Sequence, residues 1–151
     1  VATDVVVPRL GAARRCGADM AWNAAHEDIV AQILTHTGGR GVDVVIEAAG
    51  VPETVEQAMH IAKPGGTVVL VGIPAEDRTS FTASVARRKG LTIRLDRRMA
   101  HTYPRCIALA AAGKVELDML ATHRFPLERL PEAFDLAIRR ADGVLKTIIE
   151  P

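Results

Sequence analysis

At 151 residues, 48% hydrophobic, 25% charged and with a formal net charge of +1, the chain has the balance of a globular protein. That charge gives no reason to expect nucleic acid or an anionic membrane as a partner, and aromatic residues, at 3%, are too scarce for the stacking platforms that hold single strands. The longest apolar runs are strand-sized, far below the roughly 20 residues that span a bilayer.

Val1-Ala2-Thr3-Asp4 reads as the end of a buried strand closed by an acid. A helix follows at once: Pro8 suits its first turn, Leu10, Ala13 and Cys16 supply an inward face, and Gly17 is placed for a left-handed stop. Asp19-Met20-Ala21-Trp22 is a short strand. From about His26 to Thr37, Ile29, Val30, Ile33 and Leu34 recur at helical spacing until Gly38-Gly39 ends them. Val42 to Glu47 is a β-branched strand that turns at Ala48-Ala49-Gly50. Pro52 opens the next helix, with Val55, Ala58, Met59 and Ala62 facing inward. Lys63-Pro64-Gly65-Gly66 is a strong turn before the strand from Thr67 to Gly72. A polar loop, a short helix near Ser84 to Lys89 and Gly90 lead into a strand from Leu91 to Leu95. Beyond it, Pro104 to Ala112 is helical and Thr122 to Leu127 extended. Leu130, Ala133, Phe134, Ala137 and Ile138 form one helical stripe, and Val144 to Glu150 closes the chain as a strand.

Strands that alternate with helices and read as continuous apolar runs indicate a parallel sheet covered on both faces. The fold class is therefore α/β, a Rossmann-type doubly wound parallel sheet, with a tail that belongs to a second unit. In such a sheet an acid at the tip of the second strand accepts the adenosine ribose hydroxyls and repels the extra phosphate of NADP. Asp4 fits that role; the competing role is a cap on the following helix. Arg9 pairs with Asp4 or lies against the adenine. The glycine-rich turn that should precede the acid by about 20 residues is not in the chain. The expectation is a sheet lacking its first, central strand, so that Val1–Thr3 and Val44–Glu47 do not pair with each other. Gly38-Gly39-Arg40-Gly41 is no substitute for the missing turn. It precedes a strand, whereas phosphate-binding glycines follow one and open a helix. Cys16 and Cys106 lack C-x-x-C spacing and read as reduced packing thiols, which favours a cytoplasmic setting.

The stretch from Thr37 to Gly50 resembles the zinc-containing, medium-chain alcohol and polyol dehydrogenases, and the likeness runs along the chain. Thr3-Asp4 with Arg9-Leu10 and Gly17-Ala18-Asp19 resemble that family's second strand and helix. Lys63-Pro64-Gly65-Gly66 with Val69-Leu70-Val71-Gly72 resemble its fifth strand. Thr122-His123-Arg124-Phe125-Pro126-Leu127 and Glu132-Ala133-Phe134 are most similar to the sorbitol and xylitol dehydrogenase branch.

The resemblance implies the C-terminal portion of an NAD-dependent enzyme that oxidises a secondary alcohol or polyol to a ketone. Residues 1–101 would be the NAD-binding domain and residues 102–151 a return segment completing the catalytic domain. Val71, Gly72 and Ile73 would meet the nicotinamide carboxamide through their backbone, and Ala48, Ala49 and Gly50 would flank the cofactor. Arg97 and Arg98 would contact the nicotinamide end, Arg98 and Met99 the substrate, and Lys146 would lie near the pyrophosphate. Met99 departs from the tyrosine common at that position in sorbitol dehydrogenases. The family's zinc ligands and proton relay lie upstream, and the five histidines, His26, His36, His60, His101 and His123, form no zinc-type cluster. No catalytic residue or metal ligand is thus assigned, and the chain by itself is expected to be inactive. The intact enzyme would act on a small-molecule alcohol or polyol as a homo-oligomer, a dimer or tetramer. The alternatives are a zinc-independent quinone or enoyl reductase of the same superfamily, a methyltransferase using S-adenosylmethionine, and a non-catalytic nucleotide-binding module.

Overall fold

The computed structural model describes residues 1–97 and 99–151. Two compact units make up the chain, one formed by residues 1–27 with 101–151 and the other by residues 28–100. The first unit opens with β1 (Ala2–Asp4), α1 (Val7–Arg15) and β2 (Ala21–Asn23). β1 and β2 pair in parallel, Thr3 opposite Trp22 and Asp4 opposite Asn23. Pro8 occupies the first turn of α1, where its missing N–H costs nothing. The buried residues of α1 are Leu10 and Ala12 rather than Ala13 and Cys16, and Gly17 takes the left-handed conformation after it.

The second unit runs α2 (Ile29–His36), β3 (Val42–Glu47), α3 (Pro52–Ile61), β4 (Ala62–Leu70), α4 (Ala83–Lys89) and β5 (Thr92–Leu95). Asp28 caps α2 by accepting from the Ala31 N–H at 3.0 Å. The glycine turn at 38–41 then closes that helix and leads into β3. β3, β4 and β5 form a parallel sheet in that order. β4 starts earlier than expected, because the Lys63–Gly66 turn lies inside it as a bulge. Val42 faces Ala62, yet Val44 faces Thr67.

Val55, Ala58 and Met59 are buried on α3 as the spacing predicts, with Ile61 buried beside them; Ala62 is buried too, but as the first residue of β4 rather than on the helix. Val55, Ala58, Met59 and Ala62 make one core with Val68, Leu70 and Ala86, against Val45 and Ile93. The Lys89 ammonium reaches across from α4 to the carbonyls of Met59, His60 and Ala62, capping the C-terminal end of α3. On the face of β3 opposite that core, Val44 and Ile46 are 56% and 67% exposed. Val55, Ala58 and Met59 of α3 and Ala86 of α4 share one core with Val68 of β4, so both helices pack on the same face of the sheet. Among the described residues β3 pairs only with β4 and β1 only with β2. The two strands expected to stay apart therefore belong to different sheets.

The rest of the first unit consists of α5 (Tyr103–Ala111), β6 (Ala121–Pro126), α6 (Leu130–Arg139) and β7 (Lys146–Glu150). β6 and β7 pair in parallel around α6. The stripe on α6 is only partly buried: Ala133 is enclosed, whereas Phe134 and Ile138 are exposed. Leu130 and Leu136 flank Ala133 on the covered side. Cys16 and Cys106 are free thiols, as expected, but both are exposed, which corrects their reading as packing residues.

Asp43, on β3, receives hydrogen bonds from Arg40, and Lys63 pairs with it as well. The Arg40 guanidinium first, and the Lys63 ammonium second, hold its carboxyl well below the usual carboxylate range. A depressed folded pKa means that the stabilisation is complete above the unfolded value, about 3.9, and is lost as pH falls below it. Arg40 and Asp43 are exposed, so salt screens the effect. The melting-temperature difference between wild type and Asp43→Asn is expected to be largest at neutral pH and low salt, and to shrink on acidification. A difference that grew towards acid pH would contradict this account.

Candidate functional site

The C-terminal ends of β3, β4 and β5 lie side by side in one sheet, the edge at which open parallel sheets bind ligands. Glu47, the last residue of β3, organises that edge. Its backbone carbonyl accepts from the N–H groups of Val71 at 2.8 Å and Gly72 at 3.0 Å. Its carboxylate is buried, and Oε1 accepts from the N–H of Ala49 at 2.8 Å, the N–H of Gly50 at 2.8 Å and the Thr54 hydroxyl at 2.7 Å. The turn at 48–50 and the segment at 71–73 therefore meet on one residue. They also touch directly: a methyl group on Gly72 would stand 2.2 Å from the Gly50 nitrogen, and one on Gly50 would stand 2.5 Å from the Ile73 oxygen. Gly50 adopts φ +71°, a conformation that glycine enters without steric cost.

Ala48, Ala49, Val71 and Ile73 are exposed at this rim, while Gly50 is buried beneath them. The Asp96 N–H donates to the Leu70 carbonyl at 3.0 Å, which brings the end of β5 into the same edge. Arg97 and Met99 follow it and are exposed; Arg98 lies outside the described residues. Behind the junction is a cavity of about 30 Å³ lined by Glu47, Gly50, Gly72 and Arg78 among others. That is room for about one water and not for part of a dinucleotide. A larger open groove runs along α3, lined by Glu53, Glu56, His60 and Phe81 among others. It shares Pro52 and Ser80 with the small cavity, and the carboxylates of Glu53 and Glu56 in its lining are ill-suited to phosphate.

In the first unit, Asp4 stands at the end of β1. Its Oδ1 accepts from the Val6 N–H at 2.8 Å, and its Oδ2 lies 3.5 Å from the Arg9 guanidinium. Val6, not Asp4, occupies the N-cap position of α1. The carboxylate is thus held outside the helix, partly exposed, with Arg9 paired to it rather than free for another partner. Lys146 is exposed at the start of β7, opposite Ala121. His101 is exposed with a left-handed backbone, and His123 sits between the Thr122 hydroxyl and the Asp142 carboxylate. Among the described residues no group of His, Cys, Asp and Glu side chains could hold a metal ion. No helix among them is long and apolar enough to cross a membrane.

Residues 1–112 match the family model described as zinc-binding dehydrogenase. The chain belongs to this family. Among relatives of this zinc-binding dehydrogenase chain, an alcohol dehydrogenase of Cupriavidus necator is 37% identical over 147 residues, covering 95% of this chain and 40% of that protein. A sorbitol dehydrogenase of Bacillus subtilis is 31% identical over 151 residues, covering 100% of this chain and 43% of its own length. An alcohol dehydrogenase from Thermus sp. ATN1 is similar in structure, with a TM-score of 0.89 at 30% identity over 100% of this chain and 43% of that one. A structure from Sinorhizobium meliloti bound to NADP has a TM-score of 0.86 at 29% identity, covering 99% and 44%. One from Escherichia coli CFT073, complexed with NADH, has a TM-score of 0.87 at 24% identity over 99% and 43%. The chain spans about two fifths of the length of the curated relatives it matches. The family is the one to which the order of motifs pointed, and the mixed α/β fold with parallel strands agrees with it.

The sequence reading missed Glu47 and Thr54. The available signal was an acid closing the apolar run Val44-Val45-Ile46, followed seven residues later by a hydroxyl in the first turn of a helix.

Proposed function

We propose that this chain is the cofactor-handling part of a zinc-type dehydrogenase that oxidises a secondary alcohol or polyol to a ketone with NAD. The observation that supports it most is the junction at the ends of β3 and β4, where Glu47 holds two loops backbone against backbone. Small residues at 48–50 leave room for a flat ring to approach. Neither the Val71 carbonyl nor the Ile73 N–H has a backbone partner among the described residues, so an acceptor and a donor are on hand for a carboxamide. Beyond β5 in sequence, Arg97 and Arg98 serve the nicotinamide end and Arg98 and Met99 the substrate in this reading. In the other unit, Asp4 takes the adenosine ribose with Arg9 paired to it at the adenosine end, and Lys146 supplies positive charge for the pyrophosphate.

When bound, NAD supplies the hydride acceptor and zinc the Lewis acid that polarises the alcohol oxygen. The described residues do not fit a zinc ion, so its ligands belong to the remainder of the whole enzyme. This chain's part is binding and orientation. In functional terms, residues 1–101 bind the dinucleotide and residues 102–151 return to the catalytic domain. The whole enzyme is a cytoplasmic homo-oligomer in this reading.

The preference for NAD rests on the Asp4 carboxylate, which accepts ribose hydroxyls and repels a phosphate. In the whole enzyme, Asp4→Ala is expected to raise KM for NAD about tenfold or more, the size of losing a hydrogen bond to a charged group, about 1.5–3 kcal/mol. Discrimination against NADP should fall with it. A wild-type enzyme that turned over faster with NADP at equal concentration would refute the preference.

A further inference from the structure

We propose that Glu47 is a positioning residue for the nicotinamide half of the dinucleotide, a role that rests on the cofactor reading above. A buried carboxylate at the end of a strand is costly unless its oxygens are satisfied. Here the satisfying groups are the parts of the rim that the cofactor reading uses. Oε1 draws together the Ala49 and Gly50 N–H groups and the Thr54 hydroxyl, while the same residue's main-chain oxygen takes the Val71 and Gly72 N–H groups. The turn at 48–50 and the segment at 71–73 thus share one anchor, and no side chain separates them. Gly72 faces Oε2 and the Gly50 backbone so closely that a single added carbon would overlap both. If the carboxylate is lost, Gly50 is released, and with it the surface against which Gly72 and Ile73 rest.

The consequence is specific to one end of the cofactor. Glu47 belongs to the compact unit of residues 28–100, whereas Asp4 and Arg9 belong to the other. Removing the Glu47 carboxylate should therefore loosen the grip on the nicotinamide ring and leave the adenosine end intact. A merely structural role would weaken both ends together. Thr54, which donates to Oε1 and to the Val51 carbonyl, is the second member of the anchor.

The test uses the whole dehydrogenase and measures binding of NAD, of NADP and of AMP by calorimetry, beside the kinetic constants. Glu47→Ala is expected to raise the Kd of the dinucleotide that the enzyme uses by about tenfold, as for the loss of hydrogen bonds to a charged group. Its Kd for AMP should change less than about twofold. Glu47→Gln keeps the Oε1 acceptor and should restore most of the binding, and Thr54→Val should show a weaker loss of the same kind. Should Glu47→Ala fail to fold, the Gln and Val variants carry the comparison. Equal weakening of AMP and dinucleotide, or dinucleotide binding unchanged in every variant, would overturn the positioning role while leaving the cofactor reading in place. A wild-type enzyme that bound neither NAD nor NADP would overturn both.

Discussion

Gly72→Ala is expected to destabilise the protein by about 3 kcal/mol, the upper end of the usual penalty for overpacking. The new methyl group would stand 2.2 Å from the Gly50 nitrogen, 2.6 Å from its Cα and 2.5 Å from Glu47 Oε2. Two of those atoms are backbone and the third belongs to a side chain fixed by three hydrogen bonds. None can swing aside as the end of a flexible side chain would, so relief requires moving the 48–50 turn away from the 71–73 segment. Urea unfolding should show the midpoint fall with little change in slope. Gly11→Ala is the control. Gly11 lies within α1, and its added methyl would meet only the end of the Arg15 side chain at an ordinary 3.7 Å. There alanine should stabilise by about 0.5–1 kcal/mol through helix propensity. A Gly72→Ala protein with an unchanged midpoint would show that the two loops can part without cost, and the junction would lose its significance.

Met59→Ala should cost about 2–5 kcal/mol, the range for truncating an enclosed aliphatic or thioether side chain. Met59 is fully enclosed, and so is Val68 on the strand beneath it. The core that joins α3 and α4 to the sheet is small, and its other buried members include three alanines. Little in it can collapse into the space left by the missing side chain, which places the expected loss in the upper half of that range. Met59→Leu conserves volume and should cost less than about 1.5 kcal/mol. Urea unfolding of the two variants distinguishes cavity formation from a general intolerance of substitution. A Met59→Ala variant within about 0.5 kcal/mol of wild type, the range of an ordinary surface change, would mean that the enclosure of Met59 contributes little to stability.

The order and type of the elements were legible in the sequence because they follow from local signals. Helical spacing named Val55, Ala58 and Met59 on the inward face of α3 and missed Ile61, prolines marked first turns, and glycines marked left-handed exits. The family, too, was legible, since its motifs are short stretches in fixed order. Spacing does not, however, say which side of an apolar stripe meets a neighbour. On α6 the covered side centres on Ala133, while Phe134 and Ile138 face outward. Nor does a β-branched run reveal how many of its faces are covered. Val45 packs against the core with α3 and α4 while its neighbours Val44 and Ile46 point to the other face and are exposed, a difference the run of β-branched residues does not encode.

What only the tertiary structure decided is where the polar groups go. Glu47 reads in sequence as the polar end of a strand. Its importance comes from Gly50, Thr54 and Gly72, which are brought around it by the parallel pairing of β3 with β4 and by the entry of α3. Lys89 likewise reads as an ordinary basic residue in the last turn of α4, until packing sets it against the open carbonyls of α3. Apolar burial is non-directional and is prefigured by pattern, whereas a hydrogen bond requires two particular atoms at one distance and angle. That requirement is met only after the chain has folded, and for this protein it is what turns two loops into one candidate site.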